Sequence, residues 1–278
     1  MRKSPIILAA LSLLSLASCG GSDTSKVINV CASEIPHAEI LTSAVKPLLA
    51  KSGYTLNVTI LDWTIQNSEV EALTYDANYF QHRPYLQQYD GGSVNYDPNY
   101  TYKKIFPVAS VHFEPLRIFA GKKTAAEFEI AKKSATYEIC SDVSNEIRAL
   151  DLLVKSGVID SYETDKDGNP INLPSNITLI DENLLVSSMN DYDYAVLPTN
   201  SALTGHLKAD NSLPVESDEV KDMRANVLAA NVSKYSTDSV YKAKIDVLAD
   251  AILSSDVASF ITSNYQGVIS VAQKDLRK

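Results

Sequence analysis

Residues 76–86, DANYFQHRPYL, gather side chains suited to recognising a small molecule. Tyr79, Phe80, His82 and Tyr85 place four rings around one cation, Arg83, and one proline, Pro84. A surface loop has no use for so many rings, and a core strand is not expected to carry Gln81, His82 and Arg83 in succession. Pro84 suits the first turn of a helix starting near Tyr85, with Arg83 directed to solvent. Three residues elsewhere have matching chemistry. Arg148 falls in the first turns of a helical pattern after a strand-like run. A guanidinium there either clamps a carboxylate with two parallel bonds or dresses a solvated helix face. Asn226 opens an apolar run and can offer its amide to a ligand's polar head or close a strand-end turn. Trp63, the only tryptophan, follows a strand at LDW and reads as core or as ligand wall.

Signatures of covalent chemistry are absent from the sequence. It holds no G-x-S-x-G elbow, Walker A loop, H-E-x-x-H or C-x-x-C. The four histidines, His37, His82, His112 and His206, have no metal-ligand spacing. Asp142 with Glu146 reads as a cap and a helix-face charge rather than an acid–base couple. An enzyme is therefore the weakest reading, and neither cofactor nor metal is expected.

The elements that must position these residues alternate between strand and helix. Residues 26–32 read as a strand. Residues 37–53 have helical spacing through Ile40, Leu41, Val45, Leu48 and Leu49, with Pro47 as a kink and Gly53 as a stop. Residues 54–61 alternate with period two, which puts Leu56, Val58 and Ile60 on one face. A short helix over 68–73 precedes the rings, and a helix continues to about Tyr89. A polar, tyrosine-rich loop follows to Lys104. Residues 104–120 form two strands broken at Glu114 and Pro115, a natural crossing between lobes. The pattern then restarts: strand 135–140, a helix capped by Asp142 or Ser144 with Ile147, Leu150 and Val154 as its apolar stripe, and a stop at Gly157. After a polar excursion over 160–175 come a short strand, a short helix and a strand broken at Pro198. The run 226–231, two terminal helices and a last strand or packed tail close the chain. Such alternation predicts two α/β lobes with largely parallel sheets, and ligands in such folds sit beyond strand carboxyl ends, as at Ser33 and Asp142.

The N-terminus serves export. Arg2 and Lys3 precede an apolar stretch, 6–17, too short to span a membrane, and LASC at 16–19 is a lipobox. A signal peptide over 1–18, diacylglycerol on Cys19 and a flexible tether over 19–25 are expected. About 255 residues remain for the body, enough for a substantial core. Net charge is −9, and loss of Arg2 and Lys3 takes it to −11. That balance argues against nucleic acid as a partner and against electrostatic adhesion to anionic lipid, leaving the lipid anchor to hold the chain at the membrane. Cys31 and Cys140 read as small buried hydrophobes, with a disulfide as the alternative.

DANYFQHRPYL resembles the signature D-A-N-x-F-Q-H-x-P-Y-L of the NlpA-type methionine-binding lipoproteins of bacterial ABC importers, and every fixed position agrees. Further blocks follow in order. PHAEIL (36–41) matches the first loop and helix. LDWTIQN (61–67) resembles D-Y-x-x-P-N, with Trp63 for Tyr and Gln66 for Pro. VHFEPLRIF resembles the crossing segment. SNEIRALDLLVKSGVI resembles N-x-G-R-A-L-x-L-L, and ANVLAA a late Y-V-N-x-x-x element. The resemblance covers essentially the whole mature chain. It implies a two-lobed periplasmic-binding-protein type II fold, with lobe 1 over 26–112 plus 225–278 and lobe 2 over 113–224. It implies an amino-acid ligand, usually methionine, and delivery to a membrane permease by a monomer tethered outside the cytoplasm. Carried over by position, Trp63, Phe80, His82 and Tyr85 line the pocket, Arg148 holds the carboxylate and Asn226 the polar head. Two departures stand out. Pro198 replaces a ligand-contacting Asn, for which Asn200 is the nearest substitute, and Arg117 replaces a small residue and either adds a cation near the cleft or faces solvent. These departures keep open a different anionic or zwitterionic ligand, such as a dipeptide. A surface interaction module with a vestigial cleft, built on the tyrosine-rich 87–102 segment, is the third reading.

Overall fold

The structure is a computed structural model that describes residues 24–277. The expected signal segment, the lipid-attachment Cys19 and the first tether residues lie outside the described residues. The expected tether's last two residues join Lys26 in a 3-10 turn instead of a free linker.

The chain begins with β1 (Val27–Ala32). Two π-helical stretches, Glu34–Ala38 and Leu41–Val45, then run into α1 (Lys46–Lys51). The wider turns precede Pro47, which takes a place in the first turn of α1, where its missing N–H costs nothing. β2 (Thr55–Ile60), α2 (Trp63–Glu71), β3 (Ala77–His82), α3 (Arg83–Tyr89) and β4 (Ile105–Phe113) follow. Beyond Pro115 the chain forms β5 (Arg117–Ala120), α4 (Phe128–Ala131), β6 (Tyr137–Cys140) and α5 (Val143–Lys155). A small hairpin, β7 (Glu163–Thr164) with β8 (Pro170–Ile171), fills the polar excursion. Next come β9 (Ile177–Ile180), α6 (Glu182–Ser188), β10 (Tyr194–Leu197), α7 (Thr199–Thr204) and α8 (Lys221–Arg224). β11 (Asn226–Asn231), α9 (Val232–Thr237), α10 (Ser239–Ile252), α11 (Ser255–Asn264) and β12 (Ser270–Asp275) complete it.

Two sheets result. The first has the order β12-β4-β11-β3-β1-β2, the second β5-β10-β6-β9. The second sheet is largely parallel as expected, with β5 as its one antiparallel edge strand, whereas the first is mixed, which corrects the expectation there. β1 pairs in parallel with β2 and β3, but β11 runs antiparallel to β3 and β4, and β12 antiparallel to β4. The antiparallel half exists because β4 leaves the first sheet and β11 returns to it after the second sheet is built.

Helices cover both faces of the first sheet, so its inner strands β3, β4 and β11 are buried almost without interruption rather than on alternate residues. On one face Ile28, Val30, Leu41, Leu49, Ile245 and Leu248 pack together, and on the other Val70, Leu86, Ile105 and Val227. The second sheet has its own core around Ile118, Phe128, Tyr137, Leu150, Leu153 and Tyr194. On the edge strand β2, Leu56 is fully buried while Ile60 is 55% exposed, so the predicted apolar face fades toward the strand end. On α5 the buried apolar positions are Ala149, Leu150, Leu152 and Leu153; Ile147 and Val154 of the predicted stripe are only partly covered.

The ring-rich segment gives the clearest correction. Ala77–His82 is an inner strand with every residue buried, Gln81 and His82 included. Asn67 on α2 makes this possible. Its amide exchanges two hydrogen bonds with Gln81, at 2.7 and 2.6 Å, and its oxygen also accepts from Asn78 Nδ2 at 2.8 Å. A buried amide is tolerated when its donors and acceptors find partners. Arg83 does not point to solvent either. It is buried, pairs with Asp222 Oδ2 at 3.0 Å and lies over the Tyr96 ring at 5.4 Å. Cys31 and Cys140 are free buried thiols, as expected of small hydrophobes.

Candidate functional site

The seven candidate residues come from separate elements and line one small cavity of about 50 Å³ between the sheets. Trp63 opens α2, whose N-cap Asp62 accepts from Thr64 N at 2.9 Å. Phe80 and His82 end β3, Tyr85 lies in the first turn of α3, and Asn226 begins β11. From the other side come Arg148 on α5 and Asn200 in the first turn of α7. Most of these positions sit at or just beyond strand ends, where helix starts and loop backbones converge.

One wall is aromatic. The Trp63 and Tyr85 rings meet edge-on at 5.5 Å, and Phe80 and Tyr85 at 5.9 Å. These contacts fix the three rings against one another. The indole N–H of Trp63 is buried and has no hydrogen-bond partner among the described residues. His82 is committed to architecture. Its Nδ1 accepts from Tyr85 N at 3.2 Å, which leaves the proton on Nε2 to donate to Asn145 Oδ1 on α5 at 3.0 Å. Burial, with Arg224 and Arg148 nearby, holds its pKa well below the ordinary histidine value. His82 therefore stays neutral and ties the two walls together.

Asn226 is oriented by a buried relay. Its Oδ1 sits 3.1 Å from His37 Nε2, so that nitrogen carries the proton and the Asn226 NH₂ is left for other acceptors. His37 Nε2 also lies 3.4 Å from Glu114 Oε1, which takes a 2.5 Å bond from His112 Nε2; the His112 Nδ1 in turn meets the Tyr79 hydroxyl. Burial lowers His37 to about 4 and His112 to about 3, and raises Glu114. His37, His112 and Glu114 thus converge although their sequence spacing gives no sign of it, with their ligand atoms within 4.8 Å. Those atoms are already engaged with one another, which suits a positioning relay better than an ion.

Arg148 is held from two sides. Its Nε reaches Glu216 Oε1 at 2.8 Å and Oε2 at 3.0 Å, and its Nη2 donates to the Glu114 carbonyl at 2.6 Å and to Glu216. Nη1 makes no hydrogen bond among the described residues. Glu216, 68 residues away, has no signal in the sequence. Arg117 does not line this cavity: it donates to the Gly267 carbonyl at 3.1 Å and braces the passage between sheets, so the extra cleft cation is absent. Pro198 and Asn200 both line the cavity.

Sequence reasoning missed Glu114, Asn145 and Glu182, which also line it. A hint existed for Asn145 and Glu182, since each follows a strand end closely. The tyrosine-rich 87–102 segment lies off the cleft. Tyr96, Tyr100 and Tyr102 instead line a separate cavity of about 310 Å³ with Phe106 and Tyr235. No helix among the described residues is long and apolar enough to cross a membrane.

Two α/β lobes with a ring-walled, arginine-bearing cleft define a two-lobed substrate-binding fold. The chain belongs to the NlpA lipoprotein family, whose model matches residues 28–272. It is 30% identical over 269 residues to the Bacillus subtilis methionine-binding lipoprotein MetQ, covering 91% of this chain and 92% of that protein. The Salmonella typhi D-methionine-binding lipoprotein MetQ is 26% identical over 264 residues, 84% of this chain and 91% of that one. Among solved structures, a nutrient-binding protein from Burkholderia cenocepacia bound to methionine superposes with a TM-score of 0.72 at 25% identity, covering 88% of this chain and 99% of that chain. The family is one of substrate-binding lipoproteins, not enzymes.

Proposed function

We propose that this protein captures methionine or a closely related amino acid in the interlobe cavity and hands it to an ABC permease. Convergence of Trp63, Phe80, His82, Tyr85, Arg148, Asn200 and Asn226 on one cavity carries this reading. Arg148, held rigid by Glu216, offers Nη1 to the ligand carboxylate. Asn226 offers its NH₂, and the Trp63 indole N–H is a further unpaired donor. The edge-packed rings suit a thioether chain, with sulfur–ring contacts of about 0.3–1.5 kcal/mol each. The methionine-bound Burkholderia cenocepacia structure and the MetQ relatives support the same ligand class.

The lobe limits go with this reading: 26–112 plus 225–278, and 113–224. Sheet membership supports them, because β4 and β5 fall on opposite sides of Pro115 and β11 rejoins the first sheet at Asn226. Lipid on Cys19 would hold a monomer at the membrane, outside the cytoplasm, within reach of the permease. Tryptophan fluorescence and melting temperature are expected to respond to L-methionine, and Arg148→Ala to weaken binding at least about 100-fold by leaving the ligand carboxylate without its cation. A full amino-acid and dipeptide panel with no shift would overturn the assignment.

A further inference from the structure

The charges at the cleft do not balance as a carboxylate-binding site alone would require. Arg148 is the only cation lining the cavity, and Glu216 already neutralises it. Two carboxylates, Glu114 and Glu182, line the same cavity. Glu114 is occupied by His37 and His112. Glu182 is not. At the first position of α6, it takes one hydroxyl bond from Ser201 at 3.2 Å and a thiol contact from Cys140 at 3.9 Å. No Lys, Arg or His among the described residues lies within 4.0 Å of its carboxylate. It also faces the wider mouth outside the cavity, about 450 Å³, which Ser33, Asp62, Trp63 and Asn200 share. The Asn200 side chain also favours its ionised form, and a partly buried carboxylate without a cation is well placed to receive a positive group.

We propose that Glu182 is the counter-ion for the ligand's ammonium group, so that a free amine is required for tight capture. The assignment rests on the reading that the cleft binds an amino acid. It also answers the Pro198 departure: Pro198 has no side-chain donor or acceptor, and Glu182 contributes a full charge from the neighbouring element.

The surroundings add a pH signature. Glu182 faces Cys140 and Asp142 from the β6–α5 turn, Ser201 and Asn200 from α7, Glu114 from the end of β4, and Tyr85 with Asp62 from the opposite wall. Arg148 lies across the cavity. Burial raises Glu182 to about 7, and Asp142 adds to that. An incoming ammonium favours the ionised form, so binding releases a proton near neutral pH and tightens as pH rises over about 6–8.

The test is calorimetry of wild type and Glu182→Gln with L-methionine and with 4-methylthiobutanoate, the same chain without its amine. Glu182→Gln is expected to weaken methionine at least about tenfold and to leave 4-methylthiobutanoate within about twofold. Equal loss of both ligands, or no loss of methionine, overturns the role of Glu182 while leaving amino-acid capture standing. Wild type binding neither methionine nor any other amino acid overturns the reading of the site and this assignment with it. If Glu182→Gln does not fold, wild type alone decides. Methionine titrations in two buffers of different ionisation enthalpy should show proton release at about pH 7. Zero release overturns the pH signature.

Discussion

The two walls of the cleft are built on opposite principles. On the first-sheet side the buried polar groups answer one another: Asn67 with Asn78 and Gln81, and Tyr79 through His112 and Glu114 to His37 and Asn226. On the second-sheet side several carboxylates have no cation within 4.0 Å among the described residues, and of these Glu182 lines the cavity. Burial pushes Glu138, Glu146 and Glu182 each up to about 7, and raises Asp142. Glu138 is fully buried on β6, takes a 2.5 Å bond from Ser188 to one oxygen, and leaves the other with no partner among the described residues. The first wall is held by a connected side-chain network and presents rings, one amide and the unpaired Trp63 indole N–H. The second side carries carboxylates whose charge no cation balances. The contrast predicts that substitutions in the first-wall network act on stability and that uncompensated carboxylates on the second side respond to pH.

Substitutions on each wall should behave differently. Asn67→Ala removes the amide that serves both Gln81 and Asn78. Two orphaned buried groups should cost about 2–5 kcal/mol in urea unfolding. A loss below about 1 kcal/mol would mean that the first wall is no scaffold. Glu138→Gln should do the reverse and stabilise. Because the folded-state value is raised from 4.5 to about 7, the native protein holds a proton that the unfolded chain has lost across that window. The resulting stability is complete below about 4.5 and lost as pH rises through 7, and the Gln variant escapes the loss. Solvent screening trims the gain at pH 8 to about 1–2 kcal/mol, with little change at pH 5. A pH-independent effect would contradict the contrast between the walls. The smallest effect is expected at Arg83→Gln. Its partner Asp222 is largely exposed and also pairs with Lys274, so a melting experiment should register a cost of about 1 kcal/mol or less. A loss well above about 1 kcal/mol would mean that the Asp222 pair is less screened than its exposure implies.

Much of the architecture is legible in local pattern. Turn residues and periodicity delimit β1, β2, β4, β5 and β6 nearly as they occur, and the interruption at Glu114 and Pro115 marks where the chain changes sheet. β3 is misread from pattern alone, because a polar triplet inside a core strand is paradoxical until Asn67 supplies its partners from another element. The motif resemblance selected residues that line one cavity, yet composition and spacing alone left Arg148 and Asn226 each with two readings. Their roles toward a ligand remain proposals that the experiments above decide.

The sequence by itself determined the order of strands and helices, the restart of the pattern midway, the ring-rich signature and, through it, the family. Those features depend on residues close together in the chain, where periodicity and turn chemistry act. Only the tertiary structure decided that Glu216 holds Arg148, that His37, Glu114 and His112 form one relay behind Asn226, that Arg83 and Arg117 are structural, and that Glu182 stands without a cation in the cleft. Each depends on partners far apart in sequence, and packing, not local pattern, sets which polar groups meet and which are left open.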